Sequence, residues 1–434
     1  MSAAKRTFYE RANRLGLTTV FTLSFASYLG SDLTLTWQLV PLILFAFIVT
    51  LRVFLSKDLL PAIESLFATD SLLFILFLSV LVIAPSMQSD YDKSFASSLV
   101  LSCCLVLGRL YMALVPLSEV LEAFFWSGVI SITIFLPLAF ASLADSVRTL
   151  SRFSVFSFHP NLLAFVLAGY FCAMVWKLMT GGWAIKLIAA PVSVLCLIVV
   201  FFASSRGSIV AIIGGCALVF TMWILRKPKQ QRSRAVAFVV LSVASLSMAF
   251  ILVQRMEWID DTYNLVDKVL RITDSDRGID SGLTGRVDKW QATVNSLKDG
   301  TWLLGHGLRA SDSMAQLIDN SYIVSLYEVG IFALALIFFR FFGALCRLIR
   351  GYFTADQPGE SQMFLGCSLL IAVFLLNNFV ARYIFAVGNP YSLLAMLVFV
   401  SPSFGEYRAA GHARTLGDFD RKQIPMRLQG QLPT

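Results

Sequence analysis

The chain has 434 residues, of which 57% are hydrophobic and only 14% charged, with 37 phenylalanines among them. An ordinary soluble chain carries roughly 25% charge, so the composition excludes a soluble globular protein, a small disulfide-framed secreted domain and a disordered scaffold. The net charge of +8 arises from 35 basic and 27 acidic residues. Its distribution says more than its size, because basic short loops mark the cytoplasmic side of a membrane.

Apolar runs close to the roughly 20 residues that a membrane helix needs predict about twelve spans. Their cores fall at 15–30, 34–51, 69–85, 95–114, 123–144, 159–176, 184–203, 208–225, 235–253, 318–339, 362–380 and 382–400. The first run has no clear small-residue cleavage site and is followed by further spans, so no cleavable signal peptide is expected. Lys5, Arg6, Arg11 and Arg14 precede the first span and hold the N-terminus inside. Arg52, Lys57, Arg109, Lys177 and Lys186 then fall inside, as do Arg340, Arg347 and Arg350. The run Arg226, Lys227, Lys229, Arg232 and Arg234 contains no acid and is the strongest inside signal.

The expected organisation is therefore helices one to nine over 1–253, an outer loop over 254–317, helices ten to twelve over 318–401 and a polar cytoplasmic tail over 402–434. Twelve spans put both termini inside. The outer loop holds eight basic and ten acidic residues and is the only sizeable soluble piece. All seven cysteines lie in apolar segments and read as small buried hydrophobes. No internal repeat is visible.

Polar residues gather on the outer face. Arg206, in Ser205-Arg206-Gly207, sits at the turn between spans seven and eight, where it either snorkels to the headgroups or binds an anion. Arg286 opens a helix whose apolar face is expected to be Val287, Trp290, Val294 and Leu297, with Thr284 as its N-cap. A cation in a first helical turn opposes the dipole, which suggests a compensating anion; a solvated pairing with Asp288 is the other reading. Gly305-His306-Gly307 reads as a tight turn that can approach a ligand, with Arg309 beyond it. Asp319, in Asp319-Asn320-Ser321-Tyr322, is either a helix cap or a general base. Glu328 is an acid inside a span, a functional suspect or a partner of Asn378 or Arg382. His159, before Pro160 and Asn161, reads equally as structural or functional.

The three histidines lack metal-ligand spacing, and there is no phosphate-binding glycine loop or dinucleotide fingerprint. No metal, no cofactor and no nucleic acid are expected. An ATPase, a nicotinamide enzyme and a zinc protease are unlike this pattern. Two or more arginines beside an acid, outside the membrane, suit a diphosphate, because the guanidinium fork offers paired charge-assisted hydrogen bonds. A carboxylate nearby can take the proton of an attacking sugar hydroxyl. That combination fits metal-independent glycosyl transfer from a polyprenyl-diphosphate sugar. A transporter or flippase is the competing class, although secondary transporters often show repeated halves.

At these residues the chain resembles the bacterial O-antigen ligase / polysaccharide polymerase family. The resemblance rests on Ser205-Arg206-Gly207, on Gly285-Arg286 with Trp290 four residues on, on Gly305-His306-Gly307, on Asp319-Asn320-Ser321-Tyr322 and on His159-Pro160-Asn161. It covers roughly residues 155–345. It implies an all-α polytopic enzyme of the GT-C type in the bacterial inner membrane, with one large periplasmic loop. Together with the reading of the residues, it makes Asp319, Arg206 and Arg286 the expected catalytic residues, and Arg206, Arg286, Arg309, His306, Asn320, His159 and Glu328 the expected binding residues for substrate and diphosphate. The implied partners are a polyprenyl-diphosphate-linked oligosaccharide donor, a glycan or lipid-linked acceptor and membrane lipids, with a flippase and a chain-length regulator beside them. In the ligases the position matching Asp319 is usually a histidine. Aspartate there turns the expectation towards polymerisation of lipid-linked repeat units, with transfer to a lipid A-core or other acceptor as the alternative.

Overall fold

The computed structural model describes residues 3–29, 35–55, 63–64, 66, 71–83, 91–149, 153, 159–226, 286–297, 301–314 and 318–401. Their regular structure is entirely helical, with no strand among the described residues. The expected ninth span, the loop up to Gly285 including Thr284, the basic run after Arg226 and the tail after Ser401 lie outside the described residues.

The helices in chain order are α1 (Ala3–Ala26), α2 (Leu35–Leu55), α3 (Ser71–Ile83), α4 (Tyr91–Leu114), α5 (Leu117–Thr149), α6 (Pro160–Thr180) and α7 (Trp183–Phe202). They continue with α8 (Arg206–Arg226), α9 (Arg286–Ser296), α10 (Thr301–Leu304), α11 (Ser321–Thr354), α12 (Pro358–Asn377) and α13 (Pro390–Val400). Among the described residues seven helices are long and apolar enough to cross a bilayer: α4 to α8, α11 and α12. The described residues form an all-α, multi-pass membrane protein with seven such helices, against about twelve spans expected over the whole chain.

Three of the expected spans depart for identifiable reasons. Helix α1 carries Lys5, Arg6, Glu10, Arg11 and Arg14 within its own length, which leaves its apolar part short. Helix α13 has eleven residues, about 16 Å at 1.5 Å per residue, or roughly half of a bilayer core. The expected span 382–400 therefore divides into an irregular segment to Asn389 and a half-length helix. Helix α11 breaks at Gly330, whose φ of 74° and ψ of 177° interrupt the turn sequence. It then runs on to Thr354 and takes Arg340, Arg347 and Arg350 into the helix rather than into a loop.

Aromatic rings knit the centre. Phe165 of α6 lies 5.1 Å from Tyr391 of α13 and 5.7 Å from Phe374 of α12, while Phe124 of α5 lies 5.0 Å from Tyr170. Two of the buried phenols at this centre are hydrogen-bonded, as buried polar groups usually are: Tyr391 donates to the Leu370 carbonyl at 2.5 Å, and Tyr170 meets Ser127 Oγ at 3.1 Å. Helices α8 and α12 pack closely through small residues, the usual way in lipid. A Cβ at Gly215 would fall 2.3 Å from Val373, and one at Gly214 2.9 Å from Leu376. All seven cysteines are free, and Cys103 and Cys346 are exposed on helix surfaces rather than buried.

Candidate functional site

Short polar contacts gather several helix ends into one end of the bundle. Ser208 Oγ, in the first turn of α8, donates to Asn377 Oδ1 at the end of α12 (3.2 Å). The Ser321 amide, opening α11, reaches the carbonyls of Asn378 (2.9 Å) and Ala381 (2.8 Å). Phe165, early in α6, lies 5.1 Å from Tyr383. The starts of α6, α8 and α11 and the segment between α12 and α13 therefore meet, and the sequence candidates stand on these elements.

Asn320 is the cap of α11, and Asp319 is not. Asn320 Oδ1 accepts the amides of Tyr322 (2.9 Å) and Ile323 (3.1 Å), and the residue is buried. The cap reading of Asp319 is corrected by one residue, because a cap must present its oxygen to the second and third helical amides. Asp319 is left to face Arg286, with Nη2 to Oδ2 at 3.5 Å and side chains 25% and 38% exposed.

Helix α9 also turns differently from its apolar pattern. Thr293 is its buried residue, and Val287 and Val294 are exposed. The stripe 286, 290, 293 and 297 follows the helical repeat and faces α11, carrying Arg286 inward to Asp319. Arg286 is thus paired with Asp319 rather than with Asp288.

The Gly305-His306-Gly307 turn is fastened to the break in α11. The amides of His306 and Gly307 donate to the carbonyls of Tyr327 (2.9 Å) and Glu328 (2.7 Å). Ending the first segment at Gly330 leaves such carbonyls without helical partners, and the turn supplies them. The backbones touch: a Cβ at Gly305 would lie 2.4 Å from Glu328, and one at Gly330 2.2 Å from the Leu303 oxygen. Both glycines have positive φ, 77° and 74°, which side chains rarely tolerate. His306 stacks on Tyr327 with ring centroids 4.3 Å apart.

Glu328 is buried and accepts from the Ser311 hydroxyl at 2.6 Å. Its partner is thus Ser311, not Asn378 or Arg382, because the α11 break turns it towards the 3-10 turn Ala310–Ser313. Asn378 instead accepts from Ser321 Oγ at 2.5 Å. Arg309 precedes that turn with φ 65° and pairs with Asp312 at 3.0 Å.

Arg206 opens α8 half-buried, directly after a turn in which Ser204 has φ 55°. Among the described residues the non-glycine residues with positive φ are Ser204 and Arg309, and both belong to this end. Such strain costs of order 1–3 kcal/mol and collects at functional sites. His159 caps α6, its Nδ1 accepting the Asn161 amide at 3.3 Å, with Pro160 in the first turn.

The sequence reading missed a group around Asp312. Lys93 Nζ lies 3.7 Å from its Oδ2 and Arg382 Nη1 3.7 Å from its Oδ1. Asp312 is three residues from Arg309, a spacing legible as a pair, but Lys93 and Arg382 come from distant elements with no local signal. Among the described residues no three of His, Cys, Asp and Glu converge as metal ligands would.

No curated protein matches the chain. Residues 191–338, which carry every candidate above except His159, Lys93 and Arg382, match the family model described as O-Antigen ligase.

Proposed function

We propose that the protein transfers a glycan from a polyprenyl-diphosphate carrier to an acceptor hydroxyl, at the end of the bundle that holds Arg206, Arg286 and Asp319. The observation that carries this reading is the division of labour at the start of α11. Asn320 satisfies the helix amides, so the Asp319 carboxylate is available beside an arginine at a half-exposed surface. With donor bound, Arg286 turns its fork to the phosphate oxygens, and Arg206 supplies a second charge. Asp319 then accepts the proton of the acceptor hydroxyl as its oxygen bonds to the anomeric carbon. The bond from that carbon to the diphosphate oxygen breaks, and its electron pair leaves with the diphosphate, whose charge the arginines stabilise. Binding energy at the diphosphate also orients the sugar for attack. We place this face outside the bacterial inner membrane, with both termini cytoplasmic.

The family match favours transfer to a separate acceptor, as a ligase does, over the polymerisation expected from the sequence. Polymerisation keeps one observation on its side: Asp319 stands where the ligases usually carry histidine. Deleting the gene and fractionating the cell's glycans separates them. Long polymer stranded on the carrier lipid is the expected, ligase-type result. Loss of polymer with single repeats left on the carrier would move the reading to a polymerase. Unaltered glycans in every fraction would overturn both.

A further inference from the structure

Three cations from three elements converge on Asp312. Arg309 Nε lies 3.0 Å away on the turn after Gly307, Lys93 Nζ 3.7 Å away in the first turn of α4, and Arg382 Nη1 3.7 Å away between α12 and α13. Among the described residues these three cations face one carboxylate, a surplus of two positive charges, and the cationic side chains are between 31% and 49% exposed. Exposed ion pairs contribute little to stability, so pairing with Asp312 does not account for three long side chains held together. Their mutual repulsion falls when a second anion enters. The turn beneath is fixed from inside: buried Glu328 accepts from Ser311 Oγ at 2.6 Å, next to Asp312. The left-handed φ of 65° at Arg309 is strain that this fastening holds in place.

We propose that Lys93, Arg309 and Arg382, gathered around Asp312, form a subsite for an oxyanion carried by the glycan itself, a uronate-type carboxylate or an esterified phosphate. The substrate class is then an acidic oligosaccharide. This inference rests on the proposed function and narrows it. Position favours the glycan over the diphosphate as the source of the anion. Arg382 follows Ala381, whose carbonyl accepts the Ser321 amide at 2.8 Å, and Ser321 is two residues beyond Asp319. At about 3.8 Å per Cα step, the Arg382 backbone lies within about 15 Å of Asp319. A short oligosaccharide reaching across that span would place a reacting sugar at Asp319 and an acidic one at the cluster. The guanidinium forks suit the paired oxygens of either anion.

Binding to the purified full-length protein in nanodiscs of zwitterionic lipid tests this without requiring turnover. The probes are an oligogalacturonide, a neutral galactose oligosaccharide of equal length and inorganic pyrophosphate. The oligogalacturonide is expected to bind with an affinity that falls as salt rises, and the neutral sugar to bind far more weakly. Lys93→Ala and Arg382→Ala should each weaken the oligogalacturonide by about tenfold or more, the scale of a charge-assisted hydrogen bond, and leave pyrophosphate unchanged. Lys93→Arg and Arg382→Lys should retain most of the binding, which separates loss of charge from loss of fold. Failure of the wild type to prefer the acidic probe would overturn the proposal, as would unchanged binding in both alanine variants. Equal losses for pyrophosphate would also overturn it, by assigning the cluster to the diphosphate. Because the readout is binding, a protein that takes the acidic probe but transfers nothing would count against the proposed function and not against this subsite.

Discussion

Asp319 and Asn320 are neighbours with separable tasks, and substitution can tell them apart. Asn320→Ala removes the cap of α11 and should cost about 1 kcal/mol of stability, read as a lowered midpoint of thermal unfolding in detergent. Asp319→Asn keeps size and polarity and should unfold with the wild type. It cannot take a proton at neutral pH, so glycan transfer normalised to folded protein should fall by about 10²-fold or more, the usual contribution of a general base. Arg286→Ala should be comparably impaired through loss of the proposed diphosphate contact. Full activity of Asp319→Asn would end the base assignment. The sequence showed that a helix starts here, but aspartate and asparagine are equally good caps, and only the chain's course decides which oxygen meets the amides. Glu328 shows the same limit. An acid in a span was visible, whereas its partner Ser311 lies across a turn that no periodicity describes.

Helix α11 and the Gly-His-Gly turn form one structural unit. The break at Gly330 exposes carbonyls, and the amides of His306 and Gly307 occupy them. Gly330→Ala would place a Cβ 2.2 Å from the Leu303 oxygen at a φ of 74°. With ψ at 177° this is a region that essentially only glycine occupies, costing of order 1–3 kcal/mol for a side chain, so the variant should unfold markedly earlier and become protease-sensitive near 301–314. A wild-type melting curve and digestion pattern would show that the turn is not tied to the break. The break was not legible, because a single glycine in an apolar run looks the same whether the helix continues or stops. The half-length α13 escaped for a related reason. Hydropathy sums over Asn389 and Pro390 without noticing that the asparagine caps a helix there, accepting from the Tyr391 and Ser392 amides.

At the scale of the molecule the two ends differ in kind. Opposite the candidate site, Arg109 and Arg340 are buried and donate to the carbonyls of Val400 and Phe399, both at 2.9 Å. Arg226 donates to Ala355 at 2.7 Å, and Lys177 pairs with Glu122. Charge alone assigns all four bases to the cytoplasmic side, and they share an end, although all four lie within helices rather than in loops. The positive-inside rule then predicts labelling in a variant cleared of its seven native cysteines. A cysteine at Asp92 should react with an impermeant reagent from outside the cell, and one at Gly359 only after permeabilisation. The reverse pattern would put the candidate site in the cytoplasm. Within this frame, the turn that borders the site is fastened mainly through main-chain atoms and two glycines. Fastening of that kind does not depend on what the intervening side chains are. The positions between the anchors are therefore free to drift while the shape persists, so one scaffold can change what it recognises without first having to refold.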